Sequence, residues 1–244
     1  MKNKLREELF EYRLLLRSIP ATVVTLFVVS VITMNLLANK TLLQLDYIAL
    51  DGGILISWLS FMCMDIITKH FGPKASTKIS VLACAINILT CLIFFAASAI
   101  PSNAADYTAF NGIFGGTWFI LLGSTVAFLA SAMLNNMLNF AISRAFKRNP
   151  NGKTAYAVSV YVSTFAGQFF DNFIFSVIVF VGFAPIYWNG FHWTVLQCAA
   201  CALTGAVAEL IMEIIFSPIG YRIIKMWRKN SIGKAYLDYI GKGE

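Results

Sequence analysis

Long apolar runs separated by short polar stretches dominate this chain, and they predict membrane-spanning helices. A bilayer core about 30 Å thick needs roughly 20 mainly apolar residues for one helical crossing. Runs of about that length occur six times, at residues 20–38, 52–68, 75–99, 117–145, 154–184 and 194–218. Pro101, Pro150 and Pro185 follow three of these runs, at positions where a helix should already have ended.

The positions of Lys and Arg support this division, because 18 of the 19 fall on one predicted side and Lys40 alone falls on the other. Cytoplasmic loops carry the excess of these residues, so both termini are predicted to be cytoplasmic. Residues 1–19 predict an amphipathic helix on the inner membrane surface, with Leu5, Leu9 and Leu16 at helical spacing. The six-helix domain is predicted at residues 20–228, and a basic cytoplasmic tail at residues 229–244.

The composition excludes a soluble enzyme, a disordered chain and a coiled coil. The chain has 244 residues, of which 58% are hydrophobic and 13% charged, whereas soluble domains average about 45–50% and about 25%. The net charge of +7 is therefore interpreted as membrane-surface charge rather than as a sign of nucleic-acid binding. Cys198 and Cys201 lack further ligands nearby, so no metal, cofactor or enzymatic activity is predicted.

Four carboxylates within the predicted spans are the strongest functional candidates. An ionised acid at mid-bilayer costs about 2.5–3.5 kcal/mol on insertion scales, so each must be neutral, hydrated or near a cation. Asp65 is the shallowest, and an ion pair with Lys69 one turn later is as plausible for it as a functional role. A functional role is favoured for the two deeper acids, Asp171 and Glu209. The four residues are Asp65, Asp171, Glu209 and Glu213.

Amides and aromatic residues accompany these acids. Gln168 and Asn172 give the fifth span a polar face beside Asp171. A cluster on the fourth span fits either bonds between helices or contact with the polar edge of a heterocycle. Trp188 and Trp193 are interpreted as an aromatic belt at the membrane boundary. The cluster on the fourth span consists of three amides, Asn135, Asn136 and Asn139.

Two sequence motifs lie within the predicted spans: the second span ends with DIITKHFG from Asp65 to Gly72, and the fifth contains GQFFDNF from Gly167 to Phe173. These motifs resemble those of the vitamin uptake transporter family, which includes queuosine precursor transporters. The resemblance covers about residues 20–227. It implies an all-α integral membrane protein of the plasma (inner) membrane of a prokaryote. Its six transmembrane helices would form one bundle, similar to the substrate-binding components of energy-coupling-factor transporters.

The resemblance also implies a cargo, which would be a 7-deazaguanine such as preQ0, preQ1 or queuine. It assigns functional roles to Asp65, Gln168 and Asp171. The family pattern has a Lys in the sixth span where this chain has Glu209, so this charge reversal predicts a changed preference for ligand charge or polar edge.

These observations predict an importer with a central cavity built from spans four, five and six and open to the outside. Asp171 and Glu209 are predicted to hold the cargo, while Gln168, Asn172 and the span-four amides orient it. Asp65 and Glu213 are predicted to form a gate or a proton-coupling site. Two alternatives are a ligand-binding component for another water-soluble vitamin, which would need separate coupling and ATPase subunits, and an intramembrane enzyme. The predicted partners are the cargo and the lipid bilayer, without nucleic acid.

Overall fold

The fold was analysed in a computed structural model that describes residues 2–103, 107–115, 118–146, 149 and 151–241. Of the predicted boundaries, residue 1, residue 117, Pro150 and residues 242–244 lie outside these ranges. The helices are α1 Lys2–Ser18, α2 Ala21–Leu37, α3 Ile54–Phe71, α4 Pro73–Ser98, α5 Tyr107–Phe114, α6 Trp118–Ala145, α7 Lys153–Ser176, α8 Ala184–Tyr187, α9 Val195–Lys229 and α10 Lys234–Tyr239. The strands are β1 Thr41–Gln44 and β2 Ala49–Asp51.

The predicted all-α membrane bundle is confirmed. Among the described residues, five helices are long and apolar enough to cross a membrane, and a sixth span is reached when the bent pair α1 and α2 is counted. The bend between these two helices is 100°. At 17 residues, α2 alone is about 25 Å long, which is at the short limit for a crossing.

Two predicted helix ends are wrong, and both involve proline. The sixth span was expected to end at Pro218, but α9 continues through this residue to Lys229. Helices in membranes tolerate proline where neighbouring groups satisfy the freed backbone. The helix was also expected to stop before Pro185, but the helical backbone continues from α7 without a break into α8, which contains this proline in its first turn.

The second half of the fifth span widens into a π-helix. Residues Val177–Phe183, called here the π segment, continue α7 directly into α8. A wider turn shifts the faces on which the following side chains lie, and such segments often occur at functional sites. The π segment therefore redirects the aromatic side chains at this end of the bundle.

A short β-hairpin between α2 and α3 was not predicted. Strand β1 pairs antiparallel with β2, and an irregularity in register separates Thr41 from Leu43. The Gln197 amide at the start of α9 donates to the Asp46 carbonyl in the hairpin turn at 3.2 Å. The hairpin is thereby held over one end of the bundle, called here the hairpin end. The opposite end, which carries α1 and α10, is called the terminal end.

Small residues let the central helices α6, α7 and α9 approach closely. A Cβ atom on Gly167 of α7 would lie 3.1 Å from the Asn135 Cβ of α6. A Cβ atom on Gly205 of α9 would lie only 2.5 Å from the Asn172 Nδ2 of α7. Because packing drives helix association within lipid, such contacts hold the bundle and fix the polar side chains on its inner faces.

Candidate functional site

A cavity of about 500 Å³ occupies the hairpin end of the bundle. This is within the usual range for small-molecule sites, about 300–1,000 Å³. Its walls come from the hairpin, from α7 with the π segment, and from α9. The predicted contributions of the fifth and sixth spans are therefore present. From α6, which was also expected to line the cavity, the wall includes Ile120.

Acidic and amide side chains lie at the deep end of this cavity. Glu209 and Asn172 line the main cavity, and they also line a smaller adjoining pocket together with Asp171 and Asp51. Glu209 is 5% exposed, although it faces this space. The residues come from α7, α9 and β2, so the tertiary fold brings them together.

Several atoms of these side chains are buried without a hydrogen-bond partner in the described part of the chain. They are Glu209 Oε2, Asp171 Oδ1 and Asn172 Nδ2. Most buried polar groups in proteins do have partners, and each exception calls for an explanation. Ser131 lies beside Asp171 and Ser57 beside Glu209, so one polar neighbour accompanies each acid. Two acceptors and one donor therefore remain available for a ligand.

Aromatic rings cover the apolar side of the cavity. Phe180 of the π segment stacks on Trp193 with ring centroids 4.0 Å apart and planes 27° from parallel. Trp188 and Phe191 complete this wall. The sequence interpretation placed Trp188 and Trp193 in a membrane belt, yet both line the cavity, and Trp193 is 7% exposed. Trp193 is held against the π segment, because its backbone N–H donates to the Phe180 carbonyl at 3.3 Å.

Asp51 is a cavity residue that the sequence analysis did not identify. It ends β2, and its Oδ1 accepts a hydrogen bond from the Gly53 backbone N–H at 2.7 Å. Burial raises the pKa of this carboxyl to about 6. The signal available in the sequence was an acid directly before Gly52 and Gly53, at the boundary of an apolar run.

Asp65 lies in a separate polar cluster nearer the terminal end. Its Oδ1 accepts hydrogen bonds from Asn139 Nδ2 at 2.6 Å and from Asn135 Nδ2 at 3.1 Å. Thr164 and Glu213 also lie beside this carboxylate. We call these five residues the Asp65 cluster. None of them lies in the wall of the cavity.

Lys69 does not form the predicted ion pair with Asp65. Its ammonium donates to Ser159 Oγ on α7 and lies over the Tyr156 ring, 5.8 Å from the centroid. Two amides on α6 supply the donors for Asp65 instead. The helical spacing alone therefore predicted the wrong partner for both side chains.

The third amide of span four connects helices. Asn136 Oδ1 accepts from Thr68 and from Ser76, each at 2.9 Å, and Nδ2 donates to Thr77 at 3.3 Å. These contacts join α6 to α3 and α4. The sequence left two interpretations open for this cluster, bonds between helices and contact with a heterocycle. The hydrogen bonds in the structure are of the first kind. The predicted contact of these amides with cargo stays a prediction.

Gln168 occupies a position between the two polar regions. It lies one turn before Asp171 on α7, is 1% exposed, and its Nε2 and Oε1 make no hydrogen bond to the described residues. It is not part of the cavity wall. Its predicted role in orienting a ligand also stays a prediction.

The fold and the cavity define a multi-pass helical membrane protein with a cavity lined by acidic residues. The family model described as "Putative vitamin uptake transporter" matches residues 51–223, and the chain belongs to this family. The matched region includes every acid and amide discussed above.

One relative is a protein of Bacillus subtilis (strain 168) named "Probable queuosine precursor transporter". The two chains are 28% identical over 155 residues. The alignment covers 62% of this chain and 65% of the relative, less than two thirds of its length. No solved structure matches the chain. The likeness to energy-coupling-factor components therefore stays a prediction.

Proposed function

We propose that this protein imports a queuosine precursor of the 7-deazaguanine class across the plasma membrane of a prokaryote. The observation that carries the proposal is the pair of buried, partnerless acid oxygens on Asp171 and Glu209, beside an aromatic wall. Family membership and the name of the Bacillus subtilis relative support transport and the cargo class. The distribution of Lys and Arg supports cytoplasmic termini.

The cargo would be recognised by its edge and by its flat face. A deazaguanine presents its N1–H and its exocyclic amine as adjacent donors, and a carboxylate accepts such a pair with both oxygens. Glu209 supplies that carboxylate in the main cavity, and the Asn172 amide nitrogen is available to the ring carbonyl. The stacked pair Phe180 and Trp193 offers an aromatic surface for the ring.

The Asp65 cluster would act as the gate or proton-coupling site. Glu209 and Glu213 are one helical turn apart on α9, so this helix connects the cavity with the cluster. Glu213 feels the charge of Asp65, so the two carboxyl groups of the cluster interact. Two such groups share protons readily, because like charges in a buried site disfavour double ionisation. Movement of α9 would therefore couple cargo binding to proton exchange.

Uptake by the Asp171→Asn variant tests the proposal. Loss of the carboxylate is expected to abolish uptake of radiolabelled 7-deazaguanines, while the amount of protein in the membrane stays unchanged. Asp46→Asn is the matched control, because Asp46 is an exposed acid in the hairpin turn, and its uptake should equal that of the unmodified protein. Full uptake by Asp171→Asn for every deazaguanine tested would contradict the assignment.

Reconstitution in vesicles separates the proposal from its alternatives. If the purified chain takes up cargo alone in response to a proton gradient, it is a self-sufficient importer. If it binds cargo but needs added coupling and ATPase subunits, it is a binding component. Mass spectrometry of the ligand before and after incubation tests for an intramembrane enzyme, and we expect the compound to be unchanged.

A further inference from the structure

The cavity of this protein is lined by acids but by no base among the described residues. Asp51 and Glu209 line its wall, and neither Lys, Arg nor His belongs to the lining. Lys40, the basic residue closest in sequence to Asp51 on the hairpin side, has an exposed side chain. A cavity lined by acids and by no base favours a cationic ligand over an anionic one.

The acids come from three different elements. Asp51 lies at the end of β2, Asp171 on α7 and Glu209 on α9, and the three line one adjoining pocket. Each of the other two acids feels the charge of Asp51. Like charges brought together in a low-dielectric site repel one another, and a bound cation removes that repulsion.

The binding capacity of Asp51 is only partly used within the protein. Its Oδ1 accepts the N–H of Gly53, and a carboxylate offers about four acceptor sites over its two oxygens. Glu209 provides the independent sign of a ligand site, because it is 5% exposed, lines the same space and has a partnerless Oε2. A ligand amine between them would have acceptors on both sides.

We propose that Asp51 is a specificity-determining residue that binds a cationic amine on the cargo. The inference rests on the proposed function and adds a preference for charge. Asp51 binds the amine from the hairpin side, while Glu209 and Asn172 hold the heterocycle edge. The protein therefore prefers a 7-deazaguanine with a protonated aminomethyl group over one with a neutral cyano group.

The test compares two ligands that differ at this one group. Affinities of purified Asp51→Asn and of the unmodified protein are measured for 7-aminomethyl-7-deazaguanine and for 7-cyano-7-deazaguanine by isothermal titration calorimetry. Asn retains an oxygen acceptor for the Gly53 N–H, so the hairpin should be preserved. We expect a loss of about 10- to 100-fold for the aminomethyl compound, the range for a hydrogen bond to a charged group.

Binding of the cyano compound serves as the internal measure of folding and should change by less than about twofold, the range of a surface substitution. Asp46→Asn, with the same change of charge in the same hairpin, should leave both affinities unchanged. Equal losses for the two ligands, or no loss for either, would overturn the role of Asp51. Failure of the unmodified protein to bind either compound would instead contradict the proposed function.

Discussion

Two polar regions within the bundle contain acids of the same type in different surroundings. In the Asp65 cluster, one oxygen of Asp65 accepts hydrogen bonds from both Asn135 and Asn139, while the second oxygen of Asp65 and both oxygens of Glu213 have no partner in the described part of the chain. At the hairpin end, Glu209 and Asp171 each have one oxygen with no such partner, and Glu209 lines the cavity while Asp171 lines the adjoining pocket. The comparison teaches that space for a ligand, and not the presence of a partnerless acid, separates the two regions.

This difference has an energetic consequence. A hydrogen bond to a charged group contributes about 1.5–3 kcal/mol, and an unsatisfied buried charged group costs at least as much. In the cluster, the donors from α6 offset the cost of burying Asp65 and join α3 to α6. At Glu209 and Asp171, an unpaired oxygen lies beside space that a ligand with suitable donors can enter. We therefore expect the cavity to bind the ligand and the Asp65 cluster to serve the fold and its movements.

The largest expected effect is the loss of cargo binding when Glu209 is neutralised. Glu209→Gln exchanges a charged acceptor pair for an amide that offers one acceptor and one unmatched donor. We expect affinity for the aminomethyl compound to fall by about 100-fold, or about 2.7 kcal/mol, which lies in the upper part of the range for one hydrogen bond to a charged group. Calorimetric titration measures the change.

Glu213→Gln is the control for this prediction, since it lies one turn away on the same helix but in the Asp65 cluster. Its affinity for the compound should be unchanged. If Glu213→Gln loses binding and Glu209→Gln retains it, the roles of the two regions are reversed.

The next effect tests whether the geometry of Asn172 matters. A Cβ atom on Gly205 would lie 2.5 Å from Asn172 Nδ2, so Gly205→Ala must displace this amide. We expect affinity to fall by about tenfold, the loss of one hydrogen bond. Gly112→Ala is the matched control, because Gly112 also lines the cavity and nothing lies within 4 Å of its Cβ position. Equal affinities for the two variants would argue against contact between Asn172 and cargo.

The third effect falls on stability rather than on binding. Asn139→Leu removes the shorter of the two hydrogen bonds to Asp65 Oδ1. We expect the free energy of unfolding in detergent to decrease by about 1–2 kcal/mol, with cargo affinity retained. Asn172→Leu should show the opposite pattern, with weaker binding and little change in stability. Denaturation of both variants measures the free energy of unfolding, and calorimetric titration measures the cargo affinity. If both variants changed the same quantity, the distinction between the two regions would be removed.

The smallest expected effect is the dependence of binding on pH. Because burial raises the pKa of Asp51 to about 6, the carboxylate form is dominant above that pH and is lost below it. Affinity for the aminomethyl compound should therefore fall by about fourfold from pH 7 to pH 5.5 through this residue. Asp171 from α7 and Glu209 from α9 face the same pocket, so the profile must be compared with that of a variant of Asp51.

Comparison with Asp51→Asn separates the contribution of Asp51 from that of the other two acids. The variant should show a flatter pH profile between pH 7 and pH 5.5. An unchanged slope in the variant would show that Asp51 does not titrate against the cargo.

The sequence was sufficient to predict the helical bundle and part of the candidate site. Runs of apolar residues determine membrane helices almost alone, because lipid leaves few other structures for the backbone. Asp171 and Glu209 were identified on the same basis, since an acid within such a run is costly. Both of these acids line the small pocket that adjoins the cavity, and their predicted contact with cargo stays a prediction.

The remaining features depend on tertiary geometry or on short local signals. The strands of the hairpin have 4 and 3 residues, too few for a recognisable alternation of side chains, so Asp51 was placed outside the site. The partners of Asp65 lie about 70 residues away on α6, and no spacing rule reaches that far. The π segment also has no apolar pattern of its own, and the position of Trp193 in the cavity depends on it.

The most direct test of the central claim is an experimental structure of the protein with the aminomethyl compound bound. The account predicts ligand density in the hairpin-end cavity, with the ring edge at Glu209 and the ring face towards Phe180 or Trp193. Density between Asp65 and Glu213, with the cavity at the hairpin end empty, would contradict it.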